Sequence, residues 1–258
     1  MSRPLLFAVL LPLFGCAAVP PGPRGPLLGN GVQVATDFVL PLSAAKATRD
    51  DGFTARGTSD HYFSPVAVIP QRLEFRLSPV EWLDFGADTS WIDGGGDVRI
   101  GYAAKPSRAW AGHLAFGFRS GFFGEVENTL HTGSGWARVE AYPLLRPPTG
   151  RALLALGVNL GKFYHQINID ERSAGDPEDE LPAIEVMRRE LRLEAALGYF
   201  VQQHRGSMLL AIEPYLVADA SPVRASACGP CEAVDYEQSF GVMLVGRFAL
   251  HIPFRERD

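Results

Sequence analysis

After residue 30 this chain is dominated by a two-residue period. In "AWAGHLAFGFR", Trp110, Gly112, Leu114, Phe116 and Phe118 share one side of an extended backbone, while Ala111, His113, Ala115, Gly117 and Arg119 share the other. "WLDFGADTSW" sets Leu83, Phe85, Ala87 and Trp91 against Asp84, Gly86, Asp88 and Ser90. "ELRLEAALGYF" sets Leu191, Leu193, Ala195, Leu197 and Tyr199 against Glu190, Arg192, Glu194 and Gly198. In "GVMLVGRFALHI", Val242, Leu244, Phe248, Leu250 and Ile252 oppose Gly241, Arg247, Ala249 and His251. Successive side chains of a strand point to opposite faces, so this period predicts strands with two unlike faces. About ten such runs are legible, near 31–40, 65–77, 82–91, 97–104, 109–121, 135–145, 151–164, 186–201, 207–218 and 236–252. The best helical stretch is "LPAIEVMRRELRLEAALGYF", where Ile184, Met187, Leu191 and Ala195 fit a 3.6 period. Alternation from Glu190 to Tyr199 fits better, which leaves room only for a short helical turn near 181–188.

The connections alternate too. Those after the second, fourth, sixth and eighth runs are short: "PVEW", "KPSR", "RPPTG" and "QHRGS". Those after the first, fifth, seventh and ninth are long, and "IDGGGD" after the third is brief. Short turns at one end and longer loops at the other are the layout of outer-membrane β-barrels, and this chain resembles that class. A run of ~10 residues at ~3.3 Å each, tilted ~45°, covers ~23 Å, close to the ~25 Å apolar band of such barrels. The expected fold is therefore all-β, an antiparallel up-and-down transmembrane β-barrel of about ten strands, with eight or twelve as alternatives. An even count puts both termini on the short-turn side, which is periplasmic in that class.

The N-terminus points to the same envelope. "MSRPLLFAVLLPLFGCAAVPPGPRGP" opens with Arg3 and an apolar stretch, Leu5 to Leu13. That stretch is far shorter than the ~20 residues a membrane helix needs and reads as a signal peptide. Its end, Leu13-Phe14-Gly15-Cys16, resembles the lipobox of bacterial lipoproteins. The resemblance implies cleavage before Cys16 and lipidation of Cys16. Ala17 follows rather than Asp, which implies outer-membrane sorting. A lipid in the inner leaflet of the outer membrane agrees with an N-terminus on the short-turn side. "PPGPRGPLLGNG" then reads as a Pro/Gly linker, extended and without a core of its own. The domain reading is a lipoprotein signal peptide over 1–15, a lipidated N-terminus and linker over 16–30, and the barrel over 31–258.

Which face points outward separates a membrane barrel from a soluble one. The polar faces carry Arg72, Arg76, Arg99, Arg119, Arg138, Arg192 and Arg247 together with Glu74, Asp84, Asp88, Glu140, Glu190, Glu194 and Glu213. The apolar faces carry aromatic residues near strand ends: Trp82 or Trp91, Tyr102, Trp110, Tyr199, Phe240 and Phe248, all plausible interfacial girdle positions. Both patterns favour charges inside and apolar residues toward lipid. A soluble lipocalin-like lipoprotein binding an apolar ligand is the alternative with the opposite sidedness. The last run ends Ile252-Pro253-Phe254, an aromatic end of the kind read by the barrel-assembly machinery, with four residues trailing it.

Little in the sequence points to catalysis. Seven arginines and a similar number of carboxylates inside a narrow barrel read as a paired network, because an unpaired buried charge is strongly destabilising. His113 and His251 face the same interior by parity and read as members of it. No G-x-S-x-G is present, and "GSGW" (Gly133 to Trp136) reads as a loop. Omptin-type barrel proteases use an Asp pair facing a His-Asp pair; Asp50-Asp51 offers the first, but the chain has no His-Asp dipeptide. The acidic stretch holding Asp170, Glu171, Asp176, Glu178, Asp179, Glu180 and Glu185 lacks calcium-loop spacing and reads as a solvated outer loop. "DGGGD" reads as a tight turn by composition. Neither G-x-x-x-x-G-K-[ST] nor H-E-x-x-H occurs, so no cofactor, metal or catalytic residue is assigned. The net charge of −5 gives no reason to expect nucleic acid.

One motif looks catalytic at first sight. Cys228-Gly229-Pro230-Cys231 is the dithiol sequence of thioredoxin-like enzymes, but it lies between two amphipathic strands, without a βαβ context. With Cys16 given to lipid, Cys228 and Cys231 are the remaining pair, and an oxidising envelope implies an intra-loop disulfide. The functional expectation is a lipid-anchored outer-membrane barrel with a structural or binding role; a small passive pore is the alternative. The expected partners are outer-membrane lipid, lipopolysaccharide, and the barrel-assembly and lipoprotein-sorting machineries.

Overall fold

A computed structural model describes residues 22–42, 44–49, 54–60, 72–90, 93–123, 130–146, 150–172, 184–226, 234–237 and 240–254. They form thirteen strands: β1 (Gly31–Leu42), β2 (Ala44–Arg49), β3 (Thr54–Asp60), β4 (Arg72–Val80), β5 (Leu83–Thr89), β6 (Asp93–Tyr102), β7 (Trp110–Phe123), β8 (Leu130–Arg146), β9 (Gly150–Arg172), β10 (Ile184–Gln203), β11 (Gly206–Ser226), β12 (Val234–Glu237) and β13 (Phe240–Pro253). Ten close a ring in the order β1-β4-β5-β6-β7-β8-β9-β10-β11-β13, and β13 pairs back onto β1 from Gly31↔Pro253 to Leu42↔Val242. Neighbours around the ring are antiparallel. Closure gives every ring strand two partners. That leaves no open edge and satisfies backbone groups where no water can.

These ten strands are the ten runs of the sequence, with shifted ends; residues 65–71 of the second run lie outside the described residues. β8 to β11 are longer than their alternation suggests. At the far end of β9, β3 pairs with Gln166 to Arg172, β2 pairs with β3, and β12 pairs with β2. This annex of three short strands extends the sheet on the long-loop side. The opposite end carries the tight connections, Glu81–Trp82, residues 103–109 and His204–Arg205. β1 starts and β13 ends there, and the Phe254 amide donates to the Asn30 carbonyl at 3.2 Å.

Three local expectations are corrected. Residues 184–188 are strand, not a helical turn, because β10 starts at Ile184 and pairs with β9 from Ile167 onward. Gly133 to Trp136 belong to β8, not to a loop. Asp93 to Asp97 open β6 rather than forming a turn. Glycine serves close approach there: a Cβ on Gly95 would collide with the Phe118 carbonyl and the Arg119 side chain.

The barrel is apolar outside and charged inside. Along β4, Arg72, Glu74, Arg76 and Ser78 are buried, while Leu73, Phe75 and Leu77 are 42–51% exposed. Leu156 is 70% exposed, Phe118 64% and Val139 56%, whereas Glu140, Asn159 and Arg192 are buried. Apolar area in water costs about 25 cal/mol per Å², so this wall is solvated by hydrocarbon. The lipocalin-like alternative, which needs the reverse sidedness, is thereby overturned. Trp82, Tyr102 and Trp110 are exposed near the short-turn end, and Phe118 and Phe240 nearer the loops. Trp110 and Phe118 lie ~19 Å apart along the axis, at ~3.3 Å per residue and ~45° tilt. The result is a closed ten-stranded antiparallel transmembrane β-barrel.

Candidate functional site

The chemistry of this barrel is concentrated in its lumen. Among the described residues, ten arginines and ten Asp or Glu carboxylates are buried. All fourteen charges that parity assigns to the inner face are among them. Strands β1 and β4 to β7 hold one sector. Arg76 bridges Glu74, Asp84 and Asp97, with its Asp84 contact at 2.6 Å. Asp84 also binds Arg99 at 2.9 Å and accepts from the Ser78 hydroxyl at 2.8 Å. From β13, Arg247 reaches Asp37 at 2.7 Å and Glu74 at 2.8 Å. Arg119 joins Asp88 at 3.0 Å to Asp93 at 2.5 Å.

Strands β8 to β11 hold the other sector. Arg138 joins Glu194, at 2.5 Å, to Glu213 across the bore. Arg192 pairs with Glu190 at 2.6 Å, and its guanidinium lies 3.7 Å from the centre of the Phe163 ring. Buried apolar side chains, including Leu153, Phe200, Leu209 and Tyr215, line this side, and Val39 of β1 and Val245 of β13 join the same cluster. The lumen thus has a charged wall facing a partly apolar one.

The stretch read as a linker runs between those walls. Residues 22–27 are buried, and they form neither helix nor strand. The segment has no core of its own and uses the barrel's. Arg24 donates to Glu74 at 2.6 Å and to Asp88 at 2.9 Å, and its Nε lies 3.7 Å from Asp97. Its guanidinium sits 5.6 Å from the centre of the Trp136 ring, and its backbone amide donates to Glu140 at 3.2 Å. On the other side Gly22 faces Val245, where a Cβ would lie 3.1 Å from Cγ1. Gly25 has φ +80°, a left-handed backbone that favours glycine, and its carbonyl accepts from Arg99 at 2.6 Å. Leu27 is buried, and its carbonyl accepts from the Ala104 amide at 2.7 Å. The chain therefore climbs from Leu27 at the short-turn end to Gly22 beside Val245.

The other residues singled out in the sequence divide clearly. His113 and His251 are both buried on the inner face. His113 stacks on Tyr142 with ring centres 6.0 Å apart, and its Nε2 is 3.6 Å from Glu140. Cys16, Cys228, Cys231 and Asp50-Asp51 lie outside the described residues, as does most of the acidic loop. Val234–Glu237, directly after the C-G-P-C stretch, form strand β12 rather than a helix. Among the described residues no His/Cys/Asp/Glu group could hold a metal ion. Six buried charges went unread in the sequence: Arg24, Asp37, Asp93, Asp97, Arg151 and Arg188. Parity would have found Asp37, which shares a face with Gln33 and Ala35. Arg24 had no period around it to mark it.

The sequence matches no protein-family model and no curated protein. Several solved structures resemble it. Neisserial surface protein A (NspA) is 12% identical with a TM-score of 0.34, covering 89% of this chain and 100% of that one. The outer membrane protease OmpT from Escherichia coli is 7% identical with a TM-score of 0.43, covering 86% and 97%. The P. putida toluene transporter TodX is 8% identical with a TM-score of 0.33, covering 87% and 91%. These likenesses are too weak to carry an argument about activity. The fold rests on the ring of strands and the sidedness of its wall.

Proposed function

We propose that this chain is an outer-membrane β-barrel with a closed lumen and a structural or binding role, anchored in addition by lipid on Cys16. The observation that carries the reading is the filled bore. Opposite charges bridge it from strand to strand, and residues 22–28 run through it. Breaking such buried pairs is costly, which favours a rigid core over an open channel. The proposal assigns the barrel no catalytic step.

The short turns, the start of β1 and Phe254 face the periplasm in this reading, supported by the asymmetry of the connections. The lipobox-like Leu13-Phe14-Gly15-Cys16 supports the anchor. The annex of β2, β3 and β12 stands on the long-loop side, where a partner would meet the protein. Oxidised to a pair, Cys228 and Cys231 would clip the chain shortly before β12. Planar-bilayer recording of the purified full-length protein tests the proposal. A closed barrel inserts without conductance steps, whereas uniform steps in high salt overturn it in favour of a small pore.

A further inference from the structure

We propose that the lumen is a binding site for an extended peptide segment bearing one guanidinium, and that residues 22–28 occupy it as a displaceable ligand supplied by the barrel's own chain. The inference builds on the closed-lumen reading but is tested by binding rather than conductance, so the two can fail separately.

The site is built for a planar cation. Glu74 and Asp88 each take one terminal nitrogen of Arg24, Asp97 stands by Nε, and Trp136 lies beneath the group. A guanidinium can meet separate carboxylates and an aromatic face at once, which a lysine ammonium does less well. The backbone of the segment is read as well, through Glu140 on the Arg24 amide, Arg99 on the Gly25 carbonyl and the Ala104 amide on the Leu27 carbonyl. Close packing on Val245 selects a small residue ahead of the arginine.

The wall is not dependent on its occupant. Glu74 keeps Arg76 and Arg247, Asp88 keeps Arg72 and Arg119, and Asp97 keeps Arg76. The strands alone contribute nine of the ten buried arginines and all ten buried carboxylates. With the segment withdrawn, the described lumen is left one negative charge in excess. A vacated site therefore still selects a cation.

The test uses a variant lacking residues 22–28 and a synthetic acetylated peptide of that sequence, labelled at its C-terminal end. Saturable binding to the folded deletion variant is expected, and much weaker binding to the full chain, whose own segment competes for the seat. Replacing the peptide's arginine with alanine should weaken binding about tenfold or more. Equal binding to the full chain, or by the alanine peptide, overturns the proposal. If the deletion variant does not fold, Gly22→Cys with Val245→Cys decides in the full chain, with Cys228 and Cys231 replaced by serine. Mild oxidation should cross-link the pair, and excess free peptide should lower the yield. No cross-link, or a yield indifferent to peptide, overturns it.

Discussion

Glu74 is shared by three arginines of the lumen, and Glu74→Ala should be among the costliest single changes in this protein. Its oxygens accept from Arg24 at 2.6 Å, from Arg247 at 2.8 Å and from Arg76. Three charge-assisted hydrogen bonds at ~1.5–3 kcal/mol each give a gross loss of ~5–9 kcal/mol. Each arginine keeps at least one other carboxylate: Asp88 for Arg24, Asp37 for Arg247, and Asp84 and Asp97 for Arg76. Those partners, and water entering the space, offset part of the loss, so the expected net cost is ~3–5 kcal/mol. Glu81 is the internal control. It pairs with Lys105 at 2.5 Å on an exposed turn, and the Lys105 hydrogen bond holds its carboxyl below the ordinary value. Exposed pairs contribute little, so Glu81→Ala should shift stability hardly at all. Urea unfolding in detergent micelles, followed by tryptophan emission, measures both. Removing Arg24 alongside Glu74 restores the charge balance, and the double variant should recover ~1–2 kcal/mol relative to additivity. A Glu74→Ala cost no larger than that of Glu81→Ala, or strict additivity with Arg24→Ala, would refute the idea of a coupled lumenal network.

Two further outcomes are expected. Leu156→Arg places a charge on the outer face ~14 Å above Gly150, at a side chain that is 70% exposed; it should cost ~2–4 kcal/mol in lipid vesicles, and an unchanged unfolding midpoint would place that face outside the bilayer. Oxidised, denatured protein should show no free thiol at Cys228 or Cys231, with the clip contributing at most ~2 kcal/mol; two reactive thiols would dismiss it.

The ring strands were legible because lipid on one side and a charged bore on the other impose opposite choices on alternate residues. That pressure acts only where both environments are present. β2, β3 and β12 stand beyond the ring on the loop side; β2 and β3 carry no such alternation, and β12 alternates but is only 4 residues long. Asp93 to Asp97 were misread because three glycines serve close strand approach as readily as a turn. The inner face was legible wherever charges fell on alternating positions, as with Arg72, Glu74 and Arg76. Arg24 was hidden for a different reason. It lies in a Pro/Gly stretch with no regular secondary structure, and its partners come from β4, β5, β6 and β8, which only the closed ring brings together.

The central claim is that the barrel itself, not a lipid on its N-terminus, holds the protein in the membrane. Replacing Cys16 with serine, behind a cleavable signal peptide, isolates that claim. The account predicts that the Cys16→Ser protein stays in the membrane fraction through an alkaline wash, needs detergent for release, and migrates differently on gels before and after heating. Release into the soluble fraction as a folded protein, with no heat-dependent shift, would contradict it.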